Sequence, residues 1–242
     1  MPFPHREHDH LERPPLSQVV FQVSFSPIFK IDTEEPSSFQ EKLRARFPKV
    51  ELLPTGQGAT PSKAYRFQTA DEQHVITLAS ESCTMSSRAY AGWHQFSQDT
   101  ELMHRVLREV YQPPSALRLG LRYINHFTEE NTGSDFLKSV ELLSSNLSSA
   151  FRSSLEVGAS QLLIQVVVPD DESKLAVRAA RWVDPPRMVL DLDCFEEREL
   201  DMDVVLEWGR RKHDLIYDAF RWCVSDEILA QFRSAVARKE DV

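Results

Sequence analysis

The sequence predicts an α+β protein of two similar βαβββα halves, each an antiparallel sheet with helices packed on one face, meeting at a pseudo-twofold seam. Three observations carry this. Residues 117–127, at the middle of the chain, alternate as an extended strand does: Leu117, Leu119, Leu121, Tyr123 and Phe127 point one way, Arg118, Gly120, Arg122 and His126 the other. Short alternating runs bounded by turn residues recur in the same order before and after this stretch. A longer run with apolar residues at helical spacing closes each set. Antiparallel strands with one apolar face bury it under helices, which is the α+β solution.

Residues 1–13 read as a flexible polar tail in which His5, His8 and His10 stand among Arg6, Glu7 and Asp9. Three histidines so close could ligate a transition metal, but no second ligand cluster follows, and a solvated terminus is the reading kept. Pro14 and Pro15 exclude a helix and lead into a strand at 16–25 with Val19, Phe21, Val23 and Phe25 on its core face. Ser37 or Ser38 caps a short helix carrying Phe39, Leu43 and Phe47, stopped by Pro48. The loop at 54–61 contains Gly56 and Gly58 but lacks the Gly-Lys-Ser/Thr ending and the strand-to-helix setting of phosphate-cradling loops, so it reads as a flexible connection. Strands follow at 64–69, 74–80 and 84–90, the first two joined through the tight Asp71-Glu72-Gln73 junction. After Gly92 and Trp93, Phe96 can staple and Ser97 or Asp99 can cap a helix with Met103, Val106, Leu107 and Val110 in one stripe, ended by Pro113 and Pro114. These elements make the first half, 14–114.

The second half, 115–225, repeats the order. The central strand gives way to a polar loop at 128–133 and a helical region at 135–155, then to strands at 161–168, 174–183 and 187–195. A long helix at 202–224 closes it, with Val205, Trp208, Leu215, Ile216, Ala219, Phe220 and Cys223 on one stripe. Residues 226–242 form a last short helix fading into a charged tail. The repetition is one of element order, with little residue identity, and the seam between the halves is the natural place for a cleft.

At 242 residues the chain can bury a large core, as one domain or as two sharing a sheet. A net charge of -9 opposes a broad electrostatic grip on the phosphate backbone, so nucleic acid is not expected as a partner on its own; an acidic surface suits a soluble protein or one that meets a basic partner. No apolar run approaches the roughly 20 residues needed to cross a bilayer. The N-terminus has no apolar core of the secretory kind, which makes the cytoplasm the expected location. Cys83, Cys194 and Cys223 are far apart and odd in number, and read as small hydrophobes, neither a disulfide framework nor a zinc knuckle.

Pro14-Pro15-Leu16 with Val19-Val20-Phe21 and Phe25, Trp93 before a helix, Gly120-Leu121-Arg122-Tyr123-Ile124-Asn125, and Trp208 with His213 and Phe220 resemble a sporadically distributed bacterial family of uncharacterised proteins of about this length. The similarity spans nearly the whole chain and is sharpest in the Gly-Leu-Arg-Tyr-Ile-Asn run. It implies a bacterial origin and, from patchy occurrence, mobile-element or antiviral-defence neighbourhoods; it carries over no catalytic residues. More loosely, the doubled element order resembles ligand-binding scaffolds related to gyrase-inhibitor and haem-binding domains, in topology alone.

Candidate site residues gather on the polar side of the central strand and on the strand at 187–195. Asp191 and Asp193 share a strand face and are followed by Glu196, Glu197, Glu199, Asp201 and Asp203. Two carboxylates so spaced could hold magnesium; they also suit a polar sheet face running into an acidic helix start. The preferred reading sets Arg118 and Arg122 opposite Asp191 and Asp193 across the seam, as an ion network or the lining of a polar cleft. Asn125 and His126 end the central strand, where side chains reach ligands. His213, between Arg210-Arg211-Lys212 and Asp214, has no nucleophile at a readable spacing, and the basic run reads as a solvated helix face. Trp93, Trp182, Trp208 and Trp222 fill the core, or serve as a ligand platform where exposed at the seam. There is no Gly-x-Ser-x-Gly elbow. The expectation is a non-enzymatic accessory or binding protein, without cofactor, metal or catalytic residues, engaging a protein partner through a cleft of Arg118, Arg122, Asn125, His126, Asp191 and Asp193. The alternatives are a small-molecule receptor using the inter-half cleft and a metal-dependent hydrolase or nuclease built on Asp191 and Asp193.

Overall fold

The computed structural model describes residues 3–9, 11, 14–55, 62–128, 159–168, 172–182 and 187–233. Strands β1 (Leu16–Ser24), β2 (Lys49–Thr55), β3 (Ser62–Gln68), β4 (His74–Ala79), β5 (Ser82–Ser87), β6 (Arg118–Thr128), β7 (Ala159–Val167), β8 (Lys174–Trp182) and β9 (Arg187–Glu196) form one antiparallel sheet. Their order is β2-β3-β4-β5-β1-β6-β9-β8-β7. The helices among the described residues are α1 (Lys30–Thr33), α2 (Ser37–Leu43), α3 (Trp93–Tyr111), α4 (Val205–Cys223) and α5 (Asp226–Arg233), with a 3-10 turn at Met202–Val204 leading into α4. None is long and apolar enough to cross a membrane.

Register makes one face of the sheet the core. Val19, Phe21 and Val23 lie opposite Tyr123, Leu121 and Leu119 of β6, and Leu121 and Tyr123 lie opposite Cys194 and Leu192 of β9. Side chains alternate with period two, so this pairing joins the apolar sets of neighbouring strands into one continuous surface, and all eight side chains are buried. α4 packs on β6 and β9, α3 packs on β5 and α2, and α3 and α4 touch. Gly209 sets how closely α4 approaches: a Cβ there would lie 2.9 Å from the Phe21 ring. β6, expected as the organising strand, pairs with β1 on one side and β9 on the other, at the middle of the sheet.

Several expectations change. Leu117 lies outside β6 and is exposed, because the chain turns into the strand only at Arg118 after an Ala116–Leu200 bridge. The first half carries an additional edge strand, β2, where a connection was expected, so four strands and not three follow its first helices. α3 begins at Trp93, placing Ser97 and Asp99 inside the helix: Ser97 Oγ bonds back to the His94 carbonyl at 2.9 Å, and Asp99 accepts both arms of Arg46 at 2.9 and 3.0 Å. Residues 3–9 lie along α4 instead of trailing into solvent. Phe3 is buried 5.5 Å from Trp222, the Arg6 amide donates to Asp218 at 2.8 Å, and the Asp9 amide donates to the Tyr217 hydroxyl at 2.7 Å. The loop at 56–61, the helical region at 135–155, His10 and the charged end at 234–242 lie outside the described residues.

Candidate functional site

The two faces of β6 do different things. On the polar face, Arg122 donates two hydrogen bonds to the Asp191 carboxylate, at 2.7 and 2.8 Å, and Arg178 of β8 adds a third at 3.2 Å. Asp193 lies 3.5 Å from the same Arg178. The Arg122–Asp191 part of the expected network therefore forms, with Arg178 of β8 as an unexpected member. It spans adjacent strands β6, β9 and β8, all on one side of the β1–β6 junction, and does not bridge that junction. Arg118 turns away from the aspartates. Its guanidinium donates to Gln22 at 2.9 Å, lies 5.2 Å from the Phe195 ring centroid and covers Gly120, where a Cβ would meet it at 2.8 Å. The space that Gly120 leaves is taken by the protein's own arginine. His126 is exposed on this same face, and its amide donates to the Pro15 carbonyl at 2.7 Å.

Asn125 belongs to the other face. It is buried, donates to the Leu190 carbonyl at 3.1 Å, and lines a cavity of about 490 Å³. Of the six residues expected to form a cleft it is the only one that lines this cavity. The walls come from both sides of the β1–β6 junction: Tyr90, Gly92 and Trp93 at the start of α3, Leu192 of β9, Ile216, Tyr217 and Phe220 of α4, and His8, Leu11 and Pro14–Leu16 from the N-terminal segment. Gly92 turns the chain into α3 with φ 133°, a conformation open to glycine, and so places Trp93 at the cavity.

The polar groups here form one chain. The Tyr90 and Tyr123 hydroxyls are 3.4 Å apart, and Tyr123 Oη is 2.9 Å from His213 Nδ1. Trp93 stacks on the His213 ring, centroids 4.5 Å apart and planes 5° from parallel. Burial, and secondarily nearby His8, push the His213 imidazole down to about 3, and burial pushes the Tyr90 phenol up to about 12. Burial also raises Tyr123 well above its ordinary value. At neutral pH the chain is uncharged, a neutral imidazole and two phenols, each able both to donate and to accept a hydrogen bond. Lys212, next to His213, does not lie on a solvated face: its side chain is buried and donates to Ser173 at 2.9 Å.

Sequence reasoning placed Trp93, Tyr123 and His213 separately, as core and as a charged helix face. They meet only because β6, α3 and α4 converge at the sheet centre. Trp93 before a helix, the Gly-Leu-Arg-Tyr-Ile-Asn run and Trp208 with His213 and Phe220 each marked one of the three, but nothing in the sequence joined them. No family model matches the chain, and no curated protein matches it.

Proposed function

We propose that the protein is a non-catalytic receptor for a small, uncharged, largely apolar molecule held at the junction of its two halves. One observation carries this: a cavity of about 490 Å³, within the 300–1,000 Å³ usual for small-molecule sites, whose mainly aromatic and aliphatic walls surround the neutral Tyr90–Tyr123–His213 chain. Such a lining rewards a flat apolar body carrying one hydrogen-bonding group. A bare anion would find no fixed cation among the lining residues. We also infer that the two halves are related units sharing one sheet. Each strand meander returns beside the strand that opened it, β5 to β1 and β9 to β6, with β2 an added edge strand. On this reading the cavity lies at the pseudo-twofold seam.

A neutral naphthyl dye, N-phenylnaphthylamine, tests the site. Wild-type protein is expected to enhance its fluorescence with one site per chain, and Ala91→Trp, at the exposed cavity margin, to weaken binding by about tenfold or more, some 1.4 kcal/mol. Arg122→Ala, on the opposite face of β6, is expected to bind the dye as wild type does. Equal binding by Ala91→Trp and wild type would count against the cavity.

A protein partner is the second reading, favoured by β7. Among the described residues this strand is an edge of the sheet, paired with β8 alone, and its Leu163 and Val167 are 62% and 65% exposed. An unpaired strand edge with apolar side chains is the surface that strand addition uses. A partner cross-linked to wild type and lost in Leu163→Lys/Val167→Lys, with the dye site intact, supports it; cross-linking unchanged by that pair removes it. A hydrolase built on Asp191 and Asp193 draws less support, because guanidinium groups already occupy the carboxylate oxygens that a magnesium ion would need.

A further inference from the structure

We propose that His8, His213 and Asp214 form a binding site for a divalent transition metal, zinc by ligand type, at the margin of the cavity. One donor atom from each of the three lies within 4.8 Å of the other two, and among the described residues they are the single group of three or more His, Cys, Asp or Glu side chains so placed. His8 Nε2 and Asp214 Oδ1 are 3.3 Å apart. Ligands about 2.0–2.1 Å from a tetrahedral zinc are separated by roughly 3.3–3.4 Å, so this pair already sits at the edge length of the coordination tetrahedron. Bringing the remaining donors to the same spacing takes a shift of about 1.5 Å or less. Both side chains are more than a third exposed, and Arg210 takes the other carboxylate oxygen of Asp214, at 3.7 Å, which leaves Oδ1 toward His8.

Two features separate this group from a chance meeting of surface side chains. His8 is fixed from both sides: the Arg6 amide is bonded to Asp218, the Asp9 amide to Tyr217, and the Asp9 carboxylate takes Arg221 and Arg233. Its ring stacks on Tyr217 with centroids 4.1 Å apart and meets His213 edge-on at 4.8 Å. His213 is oriented the way a ligating histidine is. Nδ1 bonds Tyr123 Oη at 2.9 Å and Trp93 covers the ring face, which leaves Nε2 as the nitrogen for a metal. When Nδ1–H donates to Tyr123, and Tyr123 in turn to Tyr90, Nε2 presents its lone pair. Two imidazoles and one carboxylate are the donor set of a three-ligand zinc site with its fourth position open. His8 and His213 both line the cavity, which puts the site at its margin. The ion would also clamp the N-terminal segment to α4.

The site goes beyond the small-molecule reading and is tested with the metal alone. Full-length protein, stripped with chelator, is titrated with zinc by calorimetry and with cobalt by visible absorption. Wild type is expected to bind one zinc per chain and to give the intense d–d band of four-coordinate cobalt. His8→Ala and Asp214→Asn, both at partly exposed positions that leave the core untouched, are each expected to weaken zinc binding by about 100-fold or more, and Tyr123→Phe by about tenfold through loss of the outer hydrogen bond. His5→Ala, whose partner is Asp218, is expected to change nothing. Absence of zinc binding by wild type, or binding that survives His8→Ala with Asp214→Asn, overturns the assignment. So does binding that disappears with His5→Ala. Dye binding is read separately, so failure of either site leaves the other standing.

Discussion

Asp191 shows how one side chain organises a sheet face. It is buried, yet the guanidinium groups of Arg122 and Arg178 that hold it are 44% and 41% exposed at their side chains. Removing one member of a fully buried pair costs about 3–5 kcal/mol, because the survivor is left desolvated. Here water reaches both arginines, and Asp191 keeps Arg178 when Arg122 goes, so the cost is smaller. Arg122→Ala is expected to destabilise the fold by about 1–2 kcal/mol, and a double-mutant cycle with Asp191→Ala to give a coupling of similar size. Urea denaturation of the four proteins measures this; a coupling above about 3 kcal/mol would mean the network is far drier than its exposure indicates. The neutral side chains on the other face of β6 work differently. Tyr123, on the opposite face from Arg122 though adjacent in sequence, has its phenol desolvated and hydrogen-bonded within the cavity wall. Adjacent residues of a strand serve separate surfaces, which is why Arg122 and Asn125, read from sequence as one cleft, belong to an ion network and a cavity respectively.

At the scale of elements, the contact between α4 and β1 is the tightest constraint. Glycine inside a helix costs about 1 kcal/mol relative to alanine, so Gly209→Ala on an exposed helix face would stabilise. Gly209 is buried against Phe21, and a methyl group would lie 2.9 Å from that ring. Phe21 is itself buried, with Trp208 6.3 Å away, so its ring or the helix has to shift to admit a methyl group. Gly209→Ala is therefore expected to destabilise by about 1–3 kcal/mol, and Gly209→Ala with Phe21→Leu to recover part of the loss. Thermal denaturation of the two variants decides it; a rise in stability for Gly209→Ala alone would mean the helix sits farther from the sheet. What was legible in the sequence follows the same logic. β1, β4, β6 and β9 announce themselves because one face of each is buried and the alternation is interrupted only at Gly120 of β6 and Asp191 of β9. β2 does not: it is an edge strand with Val50 and Leu52 42% and 55% exposed and Pro54 in it, so burial imposes little pattern on it. The start of α3 was misjudged because its first residue is Trp93 after a glycine, with no side-chain cap, while Ser97 and Asp99 imitate caps and serve other bonds. The cavity was not legible as a set of residues. Its polar chain joins positions 90, 123 and 213, and no local spacing encodes such a meeting.

Over the whole molecule, the two halves share their core instead of touching at a boundary. β1 of the first half pairs along its length with β6 of the second, and α4 of the second half covers Phe21 of the first. His104 on α3 bonds the Met202 carbonyl at 2.9 Å, Arg108 reaches Asp203 at 2.5 Å, and residues 3–9 return from the beginning of the chain to lie on α4. Cutting the chain between the halves would expose the β1 edge and leave Phe21 uncovered. Urea unfolding is therefore expected to be one transition, with far-ultraviolet circular dichroism and tryptophan fluorescence giving the same midpoint, and a fragment of residues 14–114 to show no cooperative unfolding of its own. Two separated transitions, or a fragment that folds alone, would show the halves to be independent. The cavity has the same dependence, because Trp93 comes from one half and Tyr123 and His213 from the other. Dye binding should accordingly vanish at the same urea concentration as the global fold, with no range in which the protein is folded and the cavity already open.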